Sequence, residues 1–385
     1  MKANASIRKP WLLFCIPTIV LTVVVLAAAQ APSFTTITGT IGPGAQYEIA
    51  MPTGPWNGEL VVYAHGIVAP NLPVALPDIG PLRQLLTSQG FAVIDSSYSQ
   101  NGYAVKDGMQ RTHQLRGIFA SKVGQPSRVY LVGHSLGALI ALMLAERFPG
   151  QYDGALPACG LIGGGLPEIQ YIGDARILFD YFFPGAIPGT AFNIPPGIDF
   201  SPTGPTFAAV QASLIGGFAP PFNTFQFGAT ARLPFNGPAE LVAAGLNVAG
   251  FSVIFTNNIL DLTNGHLPYD NTQTVYTGSA NDAALNAGVA RFASDPAGVN
   301  YIGHYYTPTG NLHIPVLTLH TTRDPVVPFF HEQMYAQTVQ NAGTTQFLLQ
   351  RSVDAFGHCN FTDAETASAF AALVQWVHTG VKPSN

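Results

Sequence analysis

A serine between two glycines lies where a β-type apolar segment meets a long hydrophobic run, and this arrangement is compatible with few folds. Residues 128–132 (RVYLV) are typical of a buried strand, and residues 138–148 (ALIALMLAERF) of a buried helix. The pentapeptide GHSLG at 133–137 separates them. In such a strand–turn–helix the serine occupies a strained turn, and the glycines let the neighbouring backbone pass without a Cβ clash. Ser135 is therefore a candidate nucleophile, and a plain tight turn is the alternative.

A nucleophilic serine needs a base to take its proton and an acidic group to orient that base. After this motif the order along the chain is serine, then Asp or Glu, then His. Asp324 follows the predicted strand IPVLTLHTT, and His358 lies between the last predicted strand and the last predicted helix. Ligand-side loops of an open α/β sheet gather at one edge. We predict the triad Ser135, Asp324 and His358, with Asp324 as a helix cap or Asp354 as the acid being the alternatives.

Acyl transfer also needs hydrogen-bond donors for the developing oxyanion. The third predicted strand, VVYAHGIVAP, ends in His65-Gly66-Ile67. We predict the backbone amides of Ile67 and Leu136 as the two donors, with His65 orienting the loop. The other histidines are expected to have structural roles: His320, His331 and His378 within predicted elements, and His134 packed beside the turn.

The order of predicted strands and helices indicates an α/β fold, with a mostly parallel sheet covered by helices on both faces. The alternation stops near residue 160 and resumes at 312. A structureless loop of that length would be improbable in a compact domain, so we predict an inserted cap subdomain. The predicted divisions are a signal peptide at 1–29, core segments at 30–160 and 312–385, and the cap at 161–311.

Turn residues and apolar periodicity give bounds for the individual elements. Thr362 and Glu365 form a capping-box pattern for the last helix, which we expect to end at Gly380. The predicted strands are 33–41, 45–52, 58–66, 91–99, 128–132, 152–160, 314–322 and 345–354. The predicted helices are 82–88, 105–123, 138–148, 166–185, 237–250, 281–296, 327–343 and 362–378.

The N-terminal residues predict export. Arg8 and Lys9 precede an apolar stretch at 11–29 that ends in three alanines, as in a secretory signal. The alternative is an uncleaved membrane anchor through 11–29. No other segment is expected to span a bilayer. We therefore expect a secreted or periplasmic protein.

The charge of the chain limits the partners it could bind, and its cysteine content indicates the redox state of its compartment. Charged residues make up 10% of the chain, and the net charge is −5, which argues against a nucleic-acid partner. Cys15 lies in the signal, so the mature chain keeps Cys159 and Cys359. Two thiols in an oxidising compartment suggest one disulfide. The alternative is a pair of small buried apolar side chains.

The chain resembles the α/β-hydrolase superfamily over residues 34–160 and 312–380. The serine turn, His65-Gly66, Asp324 and His358 match the superfamily's nucleophile elbow, oxyanion strand end, acid and base in order. The resemblance implies a covalent acyl-enzyme cycle and no cofactor. In general features the chain is similar to secreted lipases, polyester depolymerases and feruloyl-esterase-like enzymes.

One detail resembles the tannase and feruloyl esterase group, in which a disulfide ties the nucleophile region to a cysteine directly after the catalytic histidine. The pair His358-Cys359 fits that half of the pattern, whereas His134, not a cysteine, precedes Ser135. Cys159 ends the predicted strand after the nucleophile helix and can take the missing place. The resemblance therefore implies a Cys159–Cys359 bridge that holds the histidine loop.

Aromatic residues in the cap give the substrate hypothesis. The segments DYFFPG, PPFNTFQFG and NYIGHYYTP carry almost no charge, which favours a small-molecule or polymeric carboxylic ester with a hydrophobic or aromatic portion. The same side chains could instead fill the core of the cap. Three other functions stay open: a serine peptidase of the prolyl-peptidase type, a lyase, and a non-catalytic binding protein. A peptidase would need an acidic anchor, for which Glu168, Asp174 and Asp180 are candidates.

Overall fold

The computed structural model describes residues 34–384. The predicted signal peptide, or anchor, at 1–29 lies outside the described residues. A single eight-stranded sheet organises the described chain, in the order β1-β2-β4-β3-β5-β6-β7-β8. The strands are β1 (Phe34–Ile41), β2 (Ala45–Pro52), β3 (Glu59–Ala64), β4 (Ala92–Ser96), β5 (Arg128–His134), β6 (Gly154–Ala158), β7 (Val316–Arg323) and β8 (Leu348–Phe356).

Most of the sheet is parallel, as the sequence predicted. Only β1 with β2 and β2 with β4 pair antiparallel; the pairs from β4 through β8 are parallel. Side chains along β5 alternate between two apolar cores. Val129 and Leu131 belong to one core, and Tyr130 and Val132 to the other. This alternation explains the continuous apolar run of the strand, because a parallel sheet is buried on both faces.

Helices cover both faces of the sheet. α1 and α11 pack in one core, and α2 and α3 in the other. The Thr362–Glu365 capping box starts α11, and Gly380 ends it in a left-handed conformation, as predicted. The helices are α1 (Pro81–Ser88), α2 (Val105–Lys122), α3 (Leu136–Arg147), α4 (Gly165–Phe182), α5 (Pro205–Gly216), α6 (Asn223–Thr230), α7 (Pro238–Leu262), α8 (Asp282–Gly288), α9 (Pro296–Tyr305), α10 (Phe330–Ala342) and α11 (Asp363–Thr379).

The chain between β6 and β7 is helical, with α4 to α9 following one another there. Its apolar side chains are continuous with the core on the α2 and α3 side of the sheet. Polar contacts join it to the rest of the fold: the Tyr103 amide donates to Asn258 Oδ1 at 2.7 Å, and Glu146 accepts the amides of Thr309 and Gly310. The division into core and cap segments stays a prediction.

Two predicted helices in this region are wrong in extent. The helix predicted over 237–250 continues to Leu262, because the apolar residues beyond Gly250 extend its buried face. The sequence predicted a helix over 281–296, but α8 ends at Gly288 and α9 begins at Pro296. The side chain of Asp295 accepts the Ala297 amide and so caps the start of α9. A capping aspartate followed by a first-position proline starts a new helix, whereas the predicted helix 281–296 placed both residues at its end.

The expectation that no segment beyond the N-terminus could span a bilayer also needs correction. α7 is long and apolar enough to cross a membrane by length and composition alone. More than half of its most apolar window is buried inside the protein. We therefore interpret α7 as a core helix of the region between β6 and β7.

Candidate active site

Ser135 lies on a sharp turn between β5 and α3. Its backbone has φ 57° and ψ −123°, a conformation that is strained for any residue with a side chain. A Cβ built on Gly133 would lie 2.1 Å from the carbonyl oxygen of Gly137, and one on Gly137 would lie 2.0 Å from that of Ala64. Both glycines are therefore required by close backbone approach, which is the role that the sequence analysis assigned to them.

Asp324 and His358 are in direct contact. His358 Nδ1 lies 2.7 Å from Asp324 Oδ2, and Asp324 is fully buried. The amides of Val326 and Val327 donate to Asp324 Oδ1 at 2.9 and 3.0 Å, which fixes the carboxylate. With Nδ1 donating to Asp324, the other ring nitrogen of His358 carries the lone pair that a general base needs.

The structure disfavours both alternatives to Asp324 as the triad acid: that Asp324 only caps a helix, and that Asp354 is the acid. α10 begins at Phe330, so Asp324 is too far ahead of it to act as its N-cap. Asp354 is exposed and pairs with the guanidinium of Arg323. Asp324 is thus the carboxylate that contacts His358.

A disulfide connects the histidine loop to the strand beside Ser135. The Ser135 amide donates to the Ala158 carbonyl at 3.0 Å, and the next residue, Cys159, is bonded to Cys359. A ring nitrogen of His358 and the two sulfur atoms all lie within 4.8 Å of one another. Within residues 34–384, Ser135 Oγ makes no hydrogen bond, so its bond to His358 stays a prediction. Such bonds are commonly long without substrate.

The predicted oxyanion loop lies against the serine. A Cβ built on Gly66 would be 3.2 Å from Ser135 Cβ and 3.8 Å from Ser135 Oγ. Leu136 opens α3, and the first amides of a helix have no acceptor within it. In the described part of the chain the Ile67 amide has no hydrogen-bond acceptor either. The two donors themselves stay predictions.

His65 is positioned to hold this loop. Its ring stacks on Tyr98 with centroids 3.8 Å apart, and its Nδ1 lies 2.6 Å from the Gly66 carbonyl. The Tyr98 hydroxyl donates to the His65 carbonyl at 3.0 Å. Burial lowers the pKa of His65, so the ring stays neutral beside the site.

His134 packs beside the elbow, as the sequence analysis expected. Its Nδ1 lies 3.2 Å from the Tyr63 hydroxyl. Burial, and then the charge of His358, lower its pKa to about 4. The imidazole of His134, next to Ser135, is therefore neutral at neutral pH.

A buried polar network lies behind the acid; His320 has a structural role, as predicted, but its closeness to Asp324 was not predicted from the sequence. His320 Nε2 is 2.8 Å from the Val327 carbonyl and 3.7 Å from Asp324 Oδ2, and Nδ1 is 3.2 Å from Glu332 Oε1. Burial lowers the pKa of His320, but the hydrogen bond and charge of Glu332, with the charge of Asp324, outweigh it and raise the pKa. Acceptors at both ring nitrogens favour a protonated imidazole beside Asp324. The spacing of four residues between His320 and Asp324 was the available signal.

A family model described as a tannase-like family of unknown function, DUF6351, matches residues 41–305, which is more than half of the chain. The chain belongs to this tannase-like family. The tannase-like chain also has the α/β-hydrolase fold. Feruloyl esterase B from Aspergillus oryzae superposes with a TM-score of 0.52 at 16% identity, covering 90% of this chain and 80% of that one.

Two further comparisons cover only part of the other protein. The tannase-like chain is 33% identical to an o-phthalyl amidase from Xanthobacter agilis over 75 residues, which are 20% of this chain and 17% of the amidase. An acylaminoacyl peptidase from Pyrococcus horikoshii superposes with a TM-score of 0.46 at 9% identity, covering 92% of this chain and 42% of the peptidase. The chain thus spans less than half the length of each.

The aromatic segments singled out in the sequence mostly fill the interior of the tannase-like protein. Phe182, Phe183 and Phe227 are buried, whereas Phe222 and Phe225 are exposed. A surface groove of about 410 Å³ is instead lined by four other phenylalanines and reaches Val326, whose amide holds Asp324. The four side chains are Phe200, Phe207, Phe251 and Phe255. These four residues could not be grouped from the sequence, because they are distant along the chain and converge only after folding.

Of the three candidate peptide anchors, two are already paired with side chains of the protein. Glu168 is buried and lies 2.9 Å from His331 Nε2; burial, and then the charge of Asp324, raise its pKa. Asp180 pairs with the buried Arg176 at 2.8 Å. Asp174, the third candidate, lines a cavity.

The structure contains the disulfide that the resemblance implied, and its removal gives a testable result. The bridge closes a loop with a sequence separation of 200 residues. In the chain-entropy model a loop of that order stabilises the fold by up to about 5 kcal/mol. We expect the double variant Cys159→Ser/Cys359→Ser to lose several kcal/mol of unfolding free energy in urea titrations, and to lose activity because the His358 loop is no longer tethered.

Mass measurement after alkylation provides the control for this prediction. The purified exported protein should take up two alkyl groups after reduction and none before. Two reactive thiols in the unreduced protein, or a double variant as stable as the parent, would contradict the structural role of the bridge.

Proposed function

We propose that the protein is an exported serine hydrolase that cleaves carboxylic esters with a hydrophobic or aromatic portion. The observation that carries the proposal is the 2.7 Å contact between His358 Nδ1 and Asp324 Oδ2, on a loop that the disulfide ties to the strand beside Ser135. Membership in a tannase-like family supports the same chemistry. Export is supported by the disulfide, because such bonds persist in oxidising compartments.

The proposed mechanism uses Ser135, His358 and Asp324 in the order of a serine hydrolase. The Ser135 hydroxyl attacks the ester carbonyl carbon while the free ring nitrogen of His358 accepts its proton. Asp324 accepts the hydrogen bond from Nδ1 and stabilises the imidazolium. His358 then donates the proton to the leaving alcohol. A water molecule, activated by the same imidazole, hydrolyses the acyl-enzyme and restores Ser135.

The negative charge on the carbonyl oxygen needs donors in both tetrahedral intermediates. The amides of Leu136 and Ile67 are the proposed donors, because both belong to segments that meet at Ser135. Donors fixed by the backbone need no reorganisation as charge develops, which is why they contribute strongly to such reactions. The strained backbone of Ser135 supports this arrangement, since it keeps the amide of Leu136 next to the nucleophile.

The aromatic groove supports an apolar substrate group. It is lined almost entirely by apolar side chains and extends to the loop that carries Asp324. The rings of Phe251 and Phe255 are tilted against each other with centroids 4.5 Å apart, and together they form an aromatic wall. An acyl chain or aryl ring placed there would be removed from water, and each buried methylene group would contribute about 0.8 kcal/mol.

Amide hydrolysis is the second candidate. The supporting observation is the 75-residue similarity to the o-phthalyl amidase. The same nucleophile, base and oxyanion donors serve amides and esters, so the distinction depends on substrate fit and on protonation of the leaving nitrogen.

A panel of matched substrates tests the proposal. We expect kcat/KM for p-nitrophenyl esters to rise with the size of the acyl group, and to exceed kcat/KM for aminoacyl-anilides and phthalyl amides. The variant Phe251→Ala should lower kcat/KM for the large apolar esters by about tenfold and leave the acetate ester within about twofold, because it removes packing from one wall only.

The matched control is Phe222→Ala, which removes an exposed phenylalanine outside the groove. It should leave the whole ester series unchanged. If the amides were hydrolysed faster than the esters, the protein would be an amidase or a peptidase and not an esterase. If Phe251→Ala lowered kcat/KM equally for the acetate ester and for the large esters, the groove would not be the binding site of the acyl group.

A further inference from the structure

A second cavity, separate from the aromatic groove, lies between α4, the C-terminal end of α6 and the segment 274–277. Its volume is about 300 Å³, at the lower end of the range for small-molecule pockets. Tyr171 and Phe330 form an aromatic wall, with ring centroids 6.1 Å apart. The Tyr171 hydroxyl also donates to the carbonyl of Pro325, so the cavity adjoins the loop that carries Asp324.

Asp174 lines this cavity and is held in place through one of its two carboxylate oxygens. Its Oδ1 accepts three hydrogen bonds: from the Tyr269 hydroxyl at 2.5 Å, the Tyr276 hydroxyl at 2.7 Å and Gln170 Nε2 at 3.0 Å. Within residues 34–384, Oδ2 makes no hydrogen bond. The carboxylate is therefore rigidly held by one oxygen while the other is left for a ligand.

Arg232 lines the same cavity with the opposite charge. Among the described residues its guanidinium makes no hydrogen bond or salt bridge, and it is not paired with Asp174, although its charge acts on that carboxyl. Burial raises the pKa of Asp174, and the hydrogen bonds from Tyr269, Tyr276 and Gln170, with the charge of Arg232, oppose the rise. Arg232 also has a left-handed backbone conformation, with φ 54°, which is uncommon for a residue with a side chain.

We propose that this cavity binds a small zwitterion, namely a free amino acid with an apolar side chain. Its carboxylate would pair with the Arg232 guanidinium, which suits carboxylates through its fork of N–H donors. Its ammonium group would donate to Asp174 Oδ2. Its side chain would pack against Tyr171 and Phe330. A ligand with only one of these charges would leave the other protein group without a partner.

Calorimetric titration of the full-length protein with L-phenylalanine tests the site, with two analogues that each lack one charge. The acid analogue is 3-phenylpropanoate, and the amine analogue is phenethylamine. We expect L-phenylalanine to bind at least about tenfold more tightly than either, because each charged contact is a charge-assisted hydrogen bond.

Two variants separate the contributions of the two charges. Asp174→Asn should weaken L-phenylalanine and phenethylamine about tenfold and leave 3-phenylpropanoate within twofold. Arg232→Gln should weaken L-phenylalanine and 3-phenylpropanoate and leave phenethylamine unchanged. Because Arg232 is exposed, this second variant keeps the test valid if Asp174→Asn does not fold.

Exposed residues of the same types, Asp261 and Arg147, provide the matched controls, since neither lines the cavity. Asp261→Asn and Arg147→Gln should leave every affinity within twofold. The proposal is overturned if L-phenylalanine does not bind at millimolar concentration, if Arg232→Gln leaves its affinity unchanged, or if the control variants weaken it equally. None of these readouts requires ester hydrolysis, so the result is independent of the proposed function.

Discussion

Replacing Ser135 with alanine is expected to lower kcat/KM for a p-nitrophenyl ester by about 10⁴- to 10⁶-fold. We expect a loss of this size because Ser135 forms the covalent bond to the substrate. Without it, only substrate binding and oxyanion stabilisation would remain to speed the reaction. The measurement is steady-state hydrolysis of the purified variant. Its thermal unfolding should be followed in parallel, because the strained turn must be intact for the comparison to be fair.

The control for this variant is Ser88→Ala on α1. Ser88 is exposed and donates only to the Leu85 carbonyl of its own helix. Its replacement should leave hydrolysis within about twofold of the parent. If Ser135→Ala keeps more than a few per cent of the activity while folded, another residue is the nucleophile.

The second large effect is expected from Asp324→Asn, which should lower kcat by about 10⁴-fold. The side-chain oxygen of asparagine can still accept the Val326 and Val327 amides, so the loop keeps its shape. The amide group facing His358, however, is a donor rather than an acceptor. It therefore favours the wrong tautomer of His358 and cannot stabilise the imidazolium.

Asp354→Asn is a stringent control, because it makes the same chemical change in the rival carboxylate. Asp354 is exposed and pairs with Arg323 outside the histidine contact. We expect its hydrolysis rate to stay within about twofold of the parent. Equal losses in the two variants would show that Asp324 has no special role.

The regular part of the fold could be predicted from the sequence because several local signals agreed. Around Ser135, an apolar strand, two glycines and an apolar helix all indicated one geometry, and the two glycines proved to be needed for backbone contact. Asp324 and His358 were predictable because the motif fixes their order and because parallel strands end at one edge of the sheet. The disulfide was implied by the resemblance, through the position of Cys359 next to His358.

The remaining features depend on side chains that meet only in three dimensions. The groove phenylalanines come from α5, α7 and the chain before α5, and periodicity alone does not show which face of α7 contributes Phe251 and Phe255. α5 and α6 were missed because glycine, proline and phenylalanine obscured their periodicity, although Pro205 at the start of α5 is a helix-start signal. The cavity containing Asp174 and Arg232 joins residues 58 positions apart.

Labelling with a fluorophosphonate probe, followed by mass-spectrometric mapping of the modified peptide, tests whether Ser135 is the activated nucleophile. Such a probe bonds to a serine hydroxyl only when a neighbouring base activates it. We expect one adduct, on Ser135, that is lost in Ser135→Ala and forms much more slowly in Asp324→Asn. An unlabelled folded protein, or an adduct on a different residue, would contradict this expectation.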